Sequence, residues 1–351
     1  MPSKEEVIAL FDPNSPGTAG QLFGLPFSEE NAEIVIVPVP WEVTVSYKGG
    51  TAIGPKAILE ASAQVDLFVK DIPDAWKLGI AMLPYPEKVK EESDALRKLA
   101  ENHIGKLEEG DEEGDKAALE SVNKACESLV VYTKNIVKKY LGSNKMVGLL
   151  GGDHSTPLGF IHALSEKYEF GILQIDAHAD LRKSYEGFRY SHASIMYNAL
   201  KIPAVRRLVQ VGIRDYCEEE QQVMDRSKGR VKVFFDEDIK HAQYQGGTWA
   251  ETCRQIVSEL PGHVYISFDI DGLDPKLCPN TGTPVAGGFE FHQITLLLKT
   301  LVQSGKKIIG FDLNEVAPGE SGEWDANVGA RILYQLCNAM AVSQGKLKYD
   351  R

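Results

Sequence analysis

This 351-residue chain predicts an α/β fold in three layers, a central parallel sheet with helices on both faces. Three observations lead there. Short runs rich in valine, isoleucine and leucine alternate with longer stretches of helical spacing from about residue 34 onwards. The runs are apolar at nearly every position, as strands buried on both faces are. Acidic and histidine residues gather directly after three of them, where ligand sites of such sheets lie.

Residues 1–31, with Asp12-Pro13-Asn14-Ser15-Pro16-Gly17, read as an irregular N-terminal arm with a short helix near its start. Residues 32–351 are expected to form one domain, and Ile34–Val39 is its first strand. Lys48-Gly49-Gly50 marks a turn, Pro55 suits a first helical turn, and Ala57–Phe68 has helical spacing. A polar, acidic insertion follows around 90–125, and its run Glu108–Asp115 reads as a solvated loop. Ala117–Tyr140 is helical in pattern and leads into the strand Met146–Leu150. Phe170–Ile175, Leu208–Val211, Val231–Phe235, Val264–Phe268 and Ile308–Phe311 are the later strands, separated by helical stretches such as Gln293–Ser304. No internal repeat is found.

Composition narrows the function. Charged residues make up 25% and hydrophobic residues 43%, which is usual for a globular protein. A net charge of −12 argues against nucleic acid and anionic membranes as partners and leans towards a cationic small molecule. The five cysteines are scattered, odd in number and form no CxxC pair, so they read as reduced thiols of a cytoplasmic protein. Met1-Pro2-Ser3-Lys4-Glu5-Glu6 lacks the apolar core of a signal peptide, and no run approaches a membrane span.

The chemistry sits in three clusters: Gly151-Gly152-Asp153-His154, Asp176-Ala177-His178-Ala179-Asp180 and Asp269-Ile270-Asp271. Buried carboxylates do not persist ionised without partners, so this concentration calls for cations. Asp176, Asp180, Asp269 and Asp271 carry four negative charges, which two divalent ions would balance, while His154 and His178 add neutral nitrogen donors. Residues i, i+2 and i+4 at a strand end share a side, so each DxD or DxHxD string can reach one cavity. Oxygen and nitrogen donors without thiolate favour manganese or a similar ion over structural zinc.

Gly-Gly-Asp-His-Ser at 151–155, Asp-Ala-His-Ala-Asp at 176–180 and Ser-Phe-Asp-Ile-Asp-Gly-Leu-Asp-Pro at 267–275 resemble the three signatures of the ureohydrolase superfamily, the arginase and agmatinase group. The resemblance implies an arginase-type α/β/α fold, a homotrimer or homohexamer, a binuclear manganese centre and hydrolysis of a guanidino group to urea and an amine. By position, it assigns His154 and Asp180 to one metal, His178 and Asp271 to the other, and Asp176 and Asp269 to both. Glu315, in Phe311-Asp312-Leu313-Asn314-Glu315, matches the family glutamate that pairs with the guanidinium. His192, in Tyr190-Ser191-His192-Ala193, matches the family proton shuttle, an imidazole being suited to that work. His192, Glu315 and the ligand Asp180 are thus the expected catalytic groups. Asp153 and Asp274 would orient ligand loops through hydrogen bonds. His162 falls in a helical stretch, and His103, His241, His263 and His292 carry no context that assigns a role.

Asp180-Leu181-Arg182 followed by Tyr185-Glu186-Gly187 is more similar to agmatinases than to arginases, which makes agmatine the first choice of substrate. Arg182 could instead hold a substrate carboxylate or serve as a structural ion-pair partner. Arginase, guanidino-acid hydrolase, formimidoylglutamase and a nickel-loaded guanidine hydrolase stay open on the same metal site. Two other classes are a single-zinc amidohydrolase of the histone-deacetylase kind, against which the six-ligand set speaks, and a non-catalytic oligomer subunit, for which a ligand should be missing.

Overall fold

The computed structural model describes residues 3–319 and 323–350; Met1 and Pro2, the start of the predicted arm, lie outside them. Eight strands form one sheet: β1 Ile34–Val39, β2 Ile80–Met82, β3 Met146–Gly151, β4 Phe170–Ile175, β5 Val205–Ile213, β6 Val231–Phe235, β7 His263–Asp269 and β8 Lys307–Asn314. Their order is β2-β1-β3-β8-β7-β4-β5-β6, and every pairing is parallel. The helices are α1 Lys4–Leu10, α2 Gly54–Ser62, α3 Glu87–Glu108, α4 Lys116–Gly142, α5 Leu158–Ser165 and α6 Ile195–Leu200. They continue with α7 Glu218–Arg226, α8 Asp236–Tyr244, α9 Trp249–Ser258, α10 Phe291–Gln303 and α11 Trp324–Ser343.

Period-two alternation explains the layers. In β1, Ile34 and Ile36 join a core with α2, α9, α10 and α11, whereas Val35, Val37 and Val39 face the opposite core, under α3 to α6. β4 and β7 divide in the same way, with Leu173, Val264 and Ile266 on one face and Ile172 and Tyr265 on the other. The three-layer expectation holds.

Two element expectations are corrected. The helix predicted over Ala57–Phe68 spans Gly54–Ser62 and stops six residues early. Its last residue, Ser62, accepts the Phe23 N–H of the N-terminal arm (2.8 Å) and donates to the Leu59 carbonyl (2.7 Å), so the chain turns there. The polar stretch after it holds a three-residue edge strand, β2, and the 22-residue helix α3. With α4, α3 makes a helical hairpin whose turn is the acidic run, and Asp115 caps α4 by accepting the Ala118 N–H (3.0 Å).

Candidate metal centre

All three clusters lie at or just past the carboxyl ends of β3, β4 and β7. From β3 the chain passes tightly under Trp41; a Cβ at Gly152 would sit 2.1 Å from the Trp41 carbonyl oxygen, so only glycine fits there and His154 is delivered inward. After β4 the backbone leaves the sheet and Asp180 takes a left-handed conformation, φ 54°, which swings its carboxylate back over the strand end. Asp176, His178 and Asp180 therefore share a cavity because of a turn rather than because of continued strand alternation. At β7, Asp269 Oδ1 accepts the Asp271 N–H (2.9 Å), which folds the next turn so that both acids point the same way.

Five of the six expected ligands converge in two overlapping groups, His154, Asp176 and Asp269, and Asp176, His178 and Asp271, and the sixth, Asp180, stands beside His154. His154 Nδ1 lies 3.0 Å from Asp176 Oδ2, 3.1 Å from Asp180 Oδ2 and 3.3 Å from Asp269 Oδ2. His178 Nδ1 lies 3.0 Å from Asp271 Oδ2 and 3.7 Å from Asp176 Oδ1. One oxygen of Asp176 thus faces each imidazole. Asp176, Asp180, Asp269 and Asp271 are all buried.

Beneath them runs a polar row in register across four strands: Gln210 opposite Gln174, Gln174 opposite Ser267, and Ser267 opposite Asp312. Gln210 Nε2 donates to Gln174 Oε1 (2.6 Å), and Gln174 Nε2 donates to Asp176 Oδ2 (2.7 Å). His154 Nε2 donates to Ser267 Oγ (2.8 Å), which donates to Asp312 Oδ1 (3.1 Å). This network fixes the tautomer and orientation of His154. Motif reading missed these four residues; a lone polar side chain in each apolar strand was the trace they left.

The donor set fits cations. With Nε2 committed as a donor, His154 Nδ1 presents a lone pair to three carboxylate oxygens and has no hydrogen-bond partner, although it is buried. Burial and the charges of Asp271 and Asp176 push the Asp269 carboxyl well above its usual range, and burial with Asp176 lifts Asp180 to about 7. Positive charge among these oxygens would relieve the repulsion while leaving the carboxylates ionised.

The cluster opens into a cavity of about 160 Å³ lined by His178, Asp180, Arg182, Tyr185, His192, Asp215 and Thr283, among others. Grooves elsewhere are wider, but the ligand groups found among the described residues are at this small one. His192 is half-buried in the wall; its Nδ1 is 3.2 Å from Ser191 Oγ, and burial, reinforced by His178 and His154, pulls it down to about 3. Arg182 stacks on Tyr185 (4.8 Å), with its Nε 3.9 Å from Glu220 Oε2. Glu315, just past β8 with φ 63°, accepts the His154 N–H at Oε1 (2.8 Å), while its own N–H donates to the Gly152 carbonyl (2.8 Å). Thr281, at the start of the loop Thr281-Gly282-Thr283-Pro284-Val285-Ala286-Gly287-Gly288, donates to the Glu315 carbonyl (2.8 Å). Asp153 is buried and accepts the Ser155 N–H (2.9 Å) and hydroxyl. Asp274 is not brought to the cluster; it accepts the Lys276 N–H (3.0 Å) in the following turn.

A parallel three-layer fold carrying carboxylates and imidazoles in two overlapping groups at its strand ends defines a metal-dependent hydrolase. The arginase family profile matches residues 32–338, and the chain belongs to the arginase family. It is 30% identical over 327 residues to the N(1)-aminopropylagmatine ureohydrolase of Thermus thermophilus, covering 92% of this chain and 94% of that one. It is 28% identical over 313 residues to an agmatinase of Pyrococcus horikoshii, covering 89% and 93%. The crystal structure of the agmatine ureohydrolase of Thermoplasma volcanium superposes with a TM-score of 0.68 at 22% identity over 97% of this chain and 99% of that one, which shows the shared fold. No helix among the described residues is long and apolar enough to cross a membrane.

Proposed function

We propose that this chain hydrolyses the guanidino group of a cationic amine, agmatine or a close derivative, to urea and the free amine, with two manganese ions held by the six ligands. His154 and Asp180 would bind one ion, His178 and Asp271 the other, and Asp176 and Asp269 both. The observation that carries this reading is Asp176, one oxygen of which faces His154 and the other His178. When bound, the ions supply the Lewis acidity that makes hydroxide available near neutral pH to attack the guanidinium carbon.

The chain's own residues do the rest. Glu315 is held by three backbone contacts beside His154 and receives the guanidinium, whose charge offsets the burial that raises its carboxyl well above the usual range. His192, neutral in its buried setting, relays a proton from the attacking water to the leaving amine. Arg182, stacked on Tyr185 and near Glu220, is read as a structural ion-pair partner rather than a carboxylate anchor. The exposed Asp215 at the mouth, with Nε2 of His178 4.0 Å away, suits a distal ammonium. That exposed carboxylate at the mouth and the 30%-identical relative support a second reading, an aminopropyl-extended agmatine. Unpaired cysteines support a cytoplasmic setting; the resemblance supports a homotrimer or homohexamer.

Urea release by manganese-loaded protein should favour agmatine or aminopropylagmatine over arginine, guanidinobutyrate and guanidine, with no ammonia or formamide from formimidoylglutamate. Preference for a carboxylate-bearing substrate would overturn the role given to Arg182.

A further inference from the structure

The hairpin α3–α4 carries none of the six expected ligands, yet four of its polar side chains, Ser93, Arg97, His103 and Asn123, are spent on two loops that wall the cavity. Ser93 Oγ accepts the Glu42 N–H (3.0 Å), and the Arg97 guanidinium donates to the carbonyls of Val43 (3.4 Å) and Val45, fixing the segment that brings Ser46 to the cavity. His103 Nδ1 accepts the Asp115 N–H (2.9 Å), so its Nε2 carries the proton and donates to the Glu186 carbonyl (2.9 Å). Asn123 donates to the Gly187 carbonyl (3.3 Å) and accepts the Arg189 N–H (2.8 Å). Ser93 and His103 are at most 1% exposed, and Asn123 is 6%. The two loops meet where the His192 N–H approaches Thr44 Oγ1 (3.4 Å).

The second loop needs holding. Tyr185 and Phe188 pair across a two-residue turn in which Glu186 (φ 51°) and Gly187 (φ 83°) are both left-handed. A primed turn of this kind suits glycine at both places, and a glutamate in the first costs on the order of 1 kcal/mol or more. That residue is the one whose carbonyl His103 grips, while Phe188 packs edge-on against the His103 ring at 5.4 Å. Strain at a non-glycine residue persists only where its surroundings over-determine it. The turn aims Tyr185 at His192, ring centroids 6.2 Å apart.

We propose that the α3–α4 hairpin is a clamp, with Arg97, His103 and Asn123 as positioning residues that set Ser46, Tyr185 and His192 around the reacting group without touching it. The clamp acts on the hydrolysis proposed above and rests on that reading for its effect on rate; its effect on the loop does not.

Two variants test it in the full-length manganese-loaded protein. Asn123→Asp keeps the acceptor for Arg189 and loses the donor to Gly187 at constant volume. His103→Phe removes both hydrogen bonds and keeps a ring against Phe188. Each should lower kcat/KM by roughly ten- to a hundredfold, the scale of a small misplacement, while two manganese ions per chain are retained. Amide hydrogen exchange over 182–191 should quicken while that of β4 stays unchanged. Added to His192→Asn, either change should cost less than it does alone, because one of the groups it positions is gone. Unchanged exchange in 182–191, metal lost together with activity, or a full multiplicative loss on top of His192→Asn would each overturn the clamp. If the wild-type protein releases no urea from any guanidino compound, the hydrolytic reading fails on its own, and the exchange measurement alone decides whether the hairpin holds the loop.

Discussion

At the scale of single residues, the centre depends on side chains that never meet a metal. Ser267 accepts a hydrogen bond from His154 Nε2 and donates its own hydroxyl to Asp312, which leaves the Nδ1 lone pair free to hold a metal ion. Ser267→Ala should therefore leave the fold intact and weaken manganese binding by about ten- to a hundredfold, the usual cost of losing the partner of a liganding histidine. Metal titration of the stripped protein measures this, and unchanged affinity would show that Asp312 alone orients the ring. The ligands themselves were legible in the sequence because acids and histidines at spacings of two stand out after an apolar run. Ser267, Gln174 and Gln210 were not, because one polar residue inside a strand becomes informative only when parallel register sets it beside the next. His103 was illegible for a related reason: its partners, Asp115 and Glu186, come from a turn and a distant loop.

At the scale of elements, seven of the eight strands could be located from their apolar runs, and the eighth, β2, is a three-residue edge strand too short to show a period. The hairpin was harder to read. Helix α3 is charged on most of its surface, and the stripe it buries is Ser93, Ala100, His103 and Ile104, mostly small or polar, so hydrophobic periodicity barely registers. Its partner α4 packs on α5 so closely that a Cβ at Gly159 would lie 2.3 Å from the Val130 carbonyl oxygen and 2.8 Å from the Lys134 nitrogen. Backbone atoms cannot step aside as a side-chain tip can. Gly159→Ala should then push the two helices apart and destabilise the protein by about 1–3 kcal/mol, the range for forced overpacking. A lower urea midpoint at unchanged slope is the expected result, and an unchanged midpoint would mean that the α4–α5 contact yields freely.

At the scale of the whole molecule, a sheet of eight parallel strands brings four buried carboxylates together, and the folded state bears their mutual repulsion. Bound manganese offsets it, so loading should raise Tm; a hundredfold excess over Kd is worth about 2.7 kcal/mol. The same repulsion predicts an inversion in the metal-free protein. Asp180 receives no hydrogen bond at its carboxylate among the described contacts, and its Oδ2 faces the unpartnered His154 Nδ1 at 3.1 Å. In Asp180→Asn one negative charge leaves the cluster, and the amide keeps a hydrogen-bonding group opposite His154 Nδ1. The left-handed backbone at 180, φ 54°, suits asparagine as well as it suits aspartate. Stripped of metal, this variant should be more stable than the stripped wild type by about 1 kcal/mol, the net worth of a hydrogen bond, and should melt about 2 °C higher. Manganese should then raise its Tm less than it raises that of the wild type, because a ligand is lost. Melting curves of both proteins, with and without manganese after chelation, measure all four states. A stripped variant that melts at or below the stripped wild type would show that the carboxylate cluster is not the strained part of the fold. The expected crossing would show that this protein gives up stability at its strand ends in order to hold metal there.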